Sequence, residues 1–203
     1  MAKVLEKLQS TVIASVVLVA VMVIIVAGIW HGGQGLEFDT NWWSFFFRWL
    51  HVVAGIMWIG HLYYFNFTQI PTMPKIPNEL KPAVSKHIAP AALFWFRWGA
   101  MATIATGIIL ALLNNYFVDS VIVGVASGAP KHTAIGIGMW LGTIMWFNVW
   151  FVIWPNQQKA LGLVQADDAT KAKSARTAML FSRTNTLLSL PMLYAMVSAQ
   201  NIY

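Results

Sequence analysis

The sequence predicts an all-α integral membrane protein: a bundle of five transmembrane helices, N-terminus cytoplasmic and C-terminus outside. Three observations predict it. First, 58% of the 203 residues are hydrophobic and only 10% are charged, against roughly 25% charged and about 45–50% apolar in a soluble domain. Second, five apolar runs are each long enough to cross a hydrocarbon core, which needs about 20 residues. Third, the basic residues alternate between loops in the way that sets membrane orientation. Together they exclude a disordered chain, a disulfide scaffold (there is no cysteine) and an ordinary soluble enzyme.

The spans follow in order. Residues 11–30 form a run without a charge. This exceeds the apolar core of a signal peptide, about 7–15 residues, so a retained anchor is expected. Residues 43–67 carry Arg48, His51 and His61; residues 91–113 carry Arg97; residues 133–154 carry Asn148; residues 177–197 carry Arg183 and Asn185. The apolar stretch 121–126 is too short to span and reads as an outer-surface or re-entrant piece. Pro71, Pro74, Pro77 and Pro82 make 68–90 a stiff connector. The whole chain reads as one membrane domain, 1–203. WWSFFFRW at the start of the second span and LFWFRW in the third share an aromatic-plus-Arg pattern and no convincing repeat.

Lys3, Lys7, Lys75, Lys81, Lys86, Lys159, Lys171, Lys173 and Arg176 lie in alternate segments, whereas the other segments carry only Lys131. The net charge of +6 is therefore a topology signal, and no nucleic-acid partner is expected.

Ionisable groups at membrane depth are costly and mark functional sites by default. Arg48, Arg97 and Arg183 each have two readings, snorkelling to a headgroup layer or holding a cofactor. His51 and His61 are about 15 Å apart along one helix and about 80° apart around it. They cannot share one metal but could serve two centres. His31 and His132 belong to the outer ends of spans, and His87 to an inner entrance. Neutral imidazole suits haem iron, and haem b needs no cysteine. His51, His61 and His132 are thus candidate iron ligands. His87, Arg48, Arg97 and Arg183 join them as candidate cofactor-binding residues. Arg48, one turn before His51, suits a propionate, and Ala54 and Gly55 leave room for a flat macrocycle. The alternative for each histidine is a hydrogen bond to a neighbouring helix.

Other chemistries lack their signatures. HExxH, Walker, GxSxG and dinucleotide motifs are missing, and no acid lies inside a span. The latter argues against a carboxylate proton pump or a cation-coupled carrier. HGGQG at 31–35 reads as a turn. Gly138 and Gly142 form a GxxxG helix-packing pair. Trp30, Trp43 and Trp154 read as interfacial belts, and Trp140, Trp146 and Trp150 as packing partners for a prosthetic group, lipid or another subunit.

RWLHVVAGIMWIGHLYYF at 48–65, GTIMWFNVWFVIWPNQQKAL at 142–161, SRTNTLLSLPMLYAMVSAQ at 182–200 and FWFRWGA at 94–100 resemble the membrane domain of the urate oxidase N-terminal family. The matching positions are Arg48, His51, Trp58, Gly60, Trp98, Gly142, Asn148, Pro155, Asn185 and Pro191. The resemblance implies a redox membrane protein, haem-linked, whose family commonly passes electrons to a cytochrome c domain. This chain carries Gly99 where the family has an acid and Thr184 where it has a histidine. Those residue types serve proton chemistry, so their loss weighs against urate hydroxylation. Without cysteine, no c-type haem is attached here, and the expected electron outlet is another chain.

The first expectation for function is a haem b-binding redox subunit of the bacterial inner membrane. Its partners would be the bilayer, other membrane subunits or a cytochrome c, with quinol as a donor. The alternatives are a non-catalytic subunit of a larger complex, then a membrane oxidase acting on urate or of the protoporphyrinogen oxidase type, then a transporter.

Overall fold

A computed structural model describes the backbone of residues 2–30 and 37–203 and the side chains of residues 4–26 and 37–203. His31 and the HGGQG turn lie outside the described residues. Every regular element among the described residues is helical. The chain divides into two units, Met1–Trp42 and Trp43–Tyr203.

In the first unit a short turn, Ala2–Leu5, precedes α1, Leu8–Trp30. Beyond its first two turns, the described α1 side chains are apolar and mostly exposed, among them Val17, Leu18, Met22 and Ile24. A helix with no polar face has no aqueous side, so its solvent is lipid or protein. Asp39 accepts the Trp42 N–H at 2.8 Å, which closes the start of α2, Thr40–Tyr63.

In the second unit α2 runs into a π-helical turn, Tyr64–Gln69. A second π-turn, Val84–Ile88, leads into α3, Ala89–Leu113. Then come α4, Phe117–Val121, and α5, Pro130–Phe147. A third π-turn, Asn148–Ile153, joins α5 to α6, Trp154–Ala160. The last helix, α7, is Asp168–Asn201.

All three π-turns end two residues before a proline: Gln69 before Pro71, Ile88 before Pro90, Ile153 before Pro155. A proline ring clashes with the carbonyl four residues back, here those of Phe67, Lys86 and Phe151, and lacks an N–H to bond it. Widening the preceding turn relieves the clash without breaking the helix.

Among the described residues four helices are long and apolar enough to cross a membrane: Leu8–Val26, Thr40–Lys75, Lys81–Leu113 and Pro130–Ala160. They contain or overlap the first four expected spans. The fifth, 177–197, lies in α7, which has the length but is not among these four. The reason is where its polarity sits. Ser174, Ser182, Asn185, Ser189 and Ser198 are buried, while Leu187, Leu190, Tyr194 and Val197 are exposed. Small polar residues on the inner face let α7 pack closely along α5 and α6.

The core gathers Trp58, Leu62 and Phe65 from α2 and its π-turn with Leu93, Phe96 and Ala100 from α3. Met145, Val149 and Ile153 meet them from α5 and its π-turn, and Ala178 and Met192 from α7. Gly138 does pack a helix, since a Cβ there would lie 3.1 Å from Met196 Cγ on α7.

Asp167 caps α7, accepting the Thr170 N–H at 2.8 Å and the Thr170 hydroxyl at 2.6 Å. The hydroxyl first, and then the backbone N–H, hold its carboxyl below the usual range. A lowered folded value means that the cap's contribution is present above the ordinary carboxylate range and is lost as pH falls through the lowered value. Amide protection factors at the start of α7 should therefore fall on acidification in the wild type and stay flat in Asp167→Asn. Hydrogen exchange with equal pH dependence in both would contradict this.

Candidate functional site

His51 is set by α3. Its Nδ1 lies 2.9 Å from the Thr103 carbonyl oxygen and 3.3 Å from Thr106 Oγ1. A carbonyl only accepts, so Nδ1 carries the proton and donates, and in the neutral ring Nε2 holds the lone pair. Nε2 has no hydrogen-bond partner among the described residues and is not sealed into the interior. The ring lies against Gly107, where a Cβ would come 3.0 Å from Cε1. Any larger residue would displace the imidazole. A histidine oriented through one nitrogen by a backbone carbonyl, with the other nitrogen open, has the arrangement of a ligating imidazole.

Around this end of the second unit lies a polar layer. Arg48 Nη1 reaches Gln200 Oε1 of α7 at 3.5 Å. Its charge also acts on Tyr116, whose phenol is pushed up chiefly by burial, with Arg48 pulling the other way. Tyr116 is thus a protonated hydroxyl at neutral pH. Its ring stacks on His132 at 6.4 Å between centroids. His132 Nδ1 lies 2.9 Å from Ser127 Oγ and 3.4 Å from Asp119 Oδ2.

The layer therefore collects Arg48, His51 and His132 at one end. No hydrogen bond or ring contact links any two histidines among the described residues. The other expected residues go elsewhere. His61 donates its Nδ1–H within its own helix to the Met57 carbonyl at 2.7 Å. His87 is exposed in the second π-turn, and Arg183 is exposed on α7. Among the described residues no group of three or more His, Cys, Asp or Glu could hold a metal ion. His61 thus gives Nδ1 to a backbone carbonyl as His51 does, while His132 turns Nδ1 to the α4 corner through Ser127 and Asp119.

Arg97 is also separate. It precedes Gly107, the neighbour of His51, by about 15 Å along α3. Its guanidinium lies 3.4 Å from the Trp154 ring centroid and 5.6 Å from that of Trp150. One haem served by His51 does not need it.

A buried polar seam is the feature that spacing alone missed. Asn148 donates to Asn185 Oδ1 at 2.8 Å, and Asn185 donates to the Met145 carbonyl at 2.9 Å. Asn66 donates to Ser182 Oγ at 2.7 Å, and the Tyr63 hydroxyl meets Ser189 Oγ at 3.0 Å. Beside it lies a cavity of about 30 Å³ lined by residues including Gln69, Gln157 and Ser182. Asn66 and Asn148 sit in π-turns, which recur at functional sites. The available signal was a polar residue shortly before each proline.

The two departures noted in the sequence have structural places. A Cβ at Gly99 would lie 3.1 Å from Trp58 N and 3.3 Å from its Cα. The room for an acidic side chain there is taken by the α2 backbone. Thr184 is exposed and donates to the Leu180 carbonyl of its own helix.

The tracts 142–161 and 182–200 thus build α5, α6 and α7 and carry most of the seam. Residues 127–202 match the urate oxidase N-terminal family model. The match to the urate oxidase N-terminal family takes in His132, Asn148, Asn185, Pro191 and Gln200. It begins after the tracts at 48–65 and 94–100, so His51, Arg48 and Arg97 rest on their own geometry. No curated protein and no solved structure matches this chain.

Proposed function

We propose an integral-membrane redox subunit that binds haem b through His51 and passes electrons within the membrane or to a partner. One observation carries the reading: Nδ1 of His51 is committed to the Thr103 carbonyl, and Nε2 is left open beside Gly107. His51 would hold the haem iron through Nε2. When bound, haem b supplies a one-electron iron couple. The chain's own groups do the rest. Thr103 and Thr106 orient the ring, Gly107 gives it room, and Arg48 is placed one turn away for a propionate. The match at 127–202 supports a membrane redox scaffold of the urate oxidase type. The closed space at Gly99 argues against urate hydroxylation itself. The reading extends to five spans, with α7 as the fifth, and to a bacterial inner membrane with the Lys-rich loops inside. Quinol is the proposed donor, and a cytochrome c or another membrane subunit the acceptor.

A non-catalytic subunit is the second reading. It is favoured by Phe94, Trp95, Trp98, Trp140 and Phe151, all exposed, which suit contacts with other subunits. The test is a reduced-minus-oxidised spectrum of the purified protein. A b-type α-band is expected. A colourless, iron-free preparation that co-purifies with other subunits would reject the haem reading in favour of the second.

A further inference from the structure

Arg97 is a cation that the redox proposal leaves unused, and its surroundings are specific. Trp154 covers one face of the guanidinium at 3.4 Å, and Trp150 stands at 5.6 Å. Its Nε–H donates to the Leu93 carbonyl at 3.3 Å. A guanidinium has five N–H donors in one plane. With a face stacked and Nε used, the Nη1/Nη2 edge remains, and no acceptor among the described residues meets it. Both nitrogens escape full burial, since neither is among the sealed, unpartnered atoms.

No carboxylate compensates this charge. The chain's 7 acidic residues are Glu6, Glu37, Asp39, Glu79, Asp119, Asp167 and Asp168. Thus α3 has none, and neither does the stretch from α5 through α6. Asp168 is paired with Lys171 at 3.2 Å, and Asp167 is spent on the α7 cap. Lys159 follows Trp154 by about 7.5 Å along α6, and Lys86 precedes Arg97 by about 16 Å along the helix. Trp154 also closes an apolar run and is followed by Pro155, Asn156, Gln157 and Gln158, the position of an aromatic at a membrane interface.

We infer that Arg97, stacked on Trp154, binds the phosphate of an anionic phospholipid headgroup. The planar edge accepts two phosphate oxygens side by side. Trp154 fixes the plane of the fork, and Lys159 adds a second positive charge. The acyl chains lie along the exposed apolar face beside it, which includes Phe94 and Trp98. The inference is independent of haem binding.

The test is native mass spectrometry of the detergent-solubilised protein with added phosphatidylglycerol, phosphatidylcholine or inorganic phosphate. The wild type is expected to retain phosphatidylglycerol about tenfold better than phosphatidylcholine. Arg97→Gln should lose that preference. Arg97→Lys, which keeps the charge without the fork, should lose most of it, and Lys159→Gln part of it. Circular dichroism reports whether each variant is folded; if Arg97→Gln is not, Arg97→Lys decides. Equal binding of both lipids, or an unchanged preference in Arg97→Lys, would overturn the inference. Displacement of the lipid by millimolar inorganic phosphate would also overturn it, in favour of a soluble anion.

Discussion

His51→Ala is expected to abolish the b-type α-band while leaving the helical bundle folded. The imidazole is half-buried, and its contacts are a bond to the Thr103 carbonyl, an approach to Thr106 and packing on Gly107. Losing a neutral hydrogen bond of this kind costs about 1 kcal/mol. Helicity and melting should therefore change little while the spectrum changes completely. Gly107→Leu gives a second route to the same point. Its Cβ would lie 3.0 Å from Cε1 and 3.2 Å from Nδ1, so the ring must rotate off the Thr103 carbonyl with no histidine removed. The band should shift or weaken in Gly107→Leu. An α-band of wild-type height in His51→Ala would sink the assignment of the ligand.

The second large effect is structural. Asn185 is fully buried and joins two partners, Asn148 at 2.8 Å and the Met145 carbonyl at 2.9 Å. Leucine keeps the branching and the number of side-chain heavy atoms but has no polar atom. Asn185→Leu would strand the Asn148 amide, itself only 6% exposed. The expected cost is about 2 kcal/mol, within the range for interhelical hydrogen bonds and stranded polar groups. For a chain of this length that lowers the melting temperature by about 4–8 °C. The double variant Asn148→Leu/Asn185→Leu should recover part of the loss, because removing both partners leaves no orphan. Thermal melts in detergent decide it. If the single variant melts with the wild type, the amide pair does not hold α5 to α7.

Much of the helical layout was legible in the residues, because each step depends on neighbours close in sequence. Four apolar runs became four long helices. The caps supplied by Asp39 and Asp167 came only with the structure. The stretch 177–197 in α7 was harder to read for a physical reason. Hydropathy averages over the whole circumference, and here the buried Ser182, Asn185 and Ser189 lower the average although Leu187, Leu190 and Val197 are exposed. The candidate site was legible only in part. His51 stood out as an imidazole at depth beside small residues, but Thr103 and Gly107, which orient it, lie more than fifty residues away on α3. Arg48 and Arg97 looked alike as lone cations in spans. One reaches Gln200 and the Tyr116 corner, and the other lies on Trp154.

The sequence by itself determined the solvent, the segments that become helices and the prolines that widen their turns. It did so because transfer free energy and backbone sterics act residue by residue and turn by turn. Only the tertiary structure decided which nitrogen of His51 stays open, that His61 is turned back onto its own helix, and that Gly99 leaves no room for an acid. A side chain's chemistry depends on the atoms within a few ångströms of it, and in a helical bundle those atoms come from other helices.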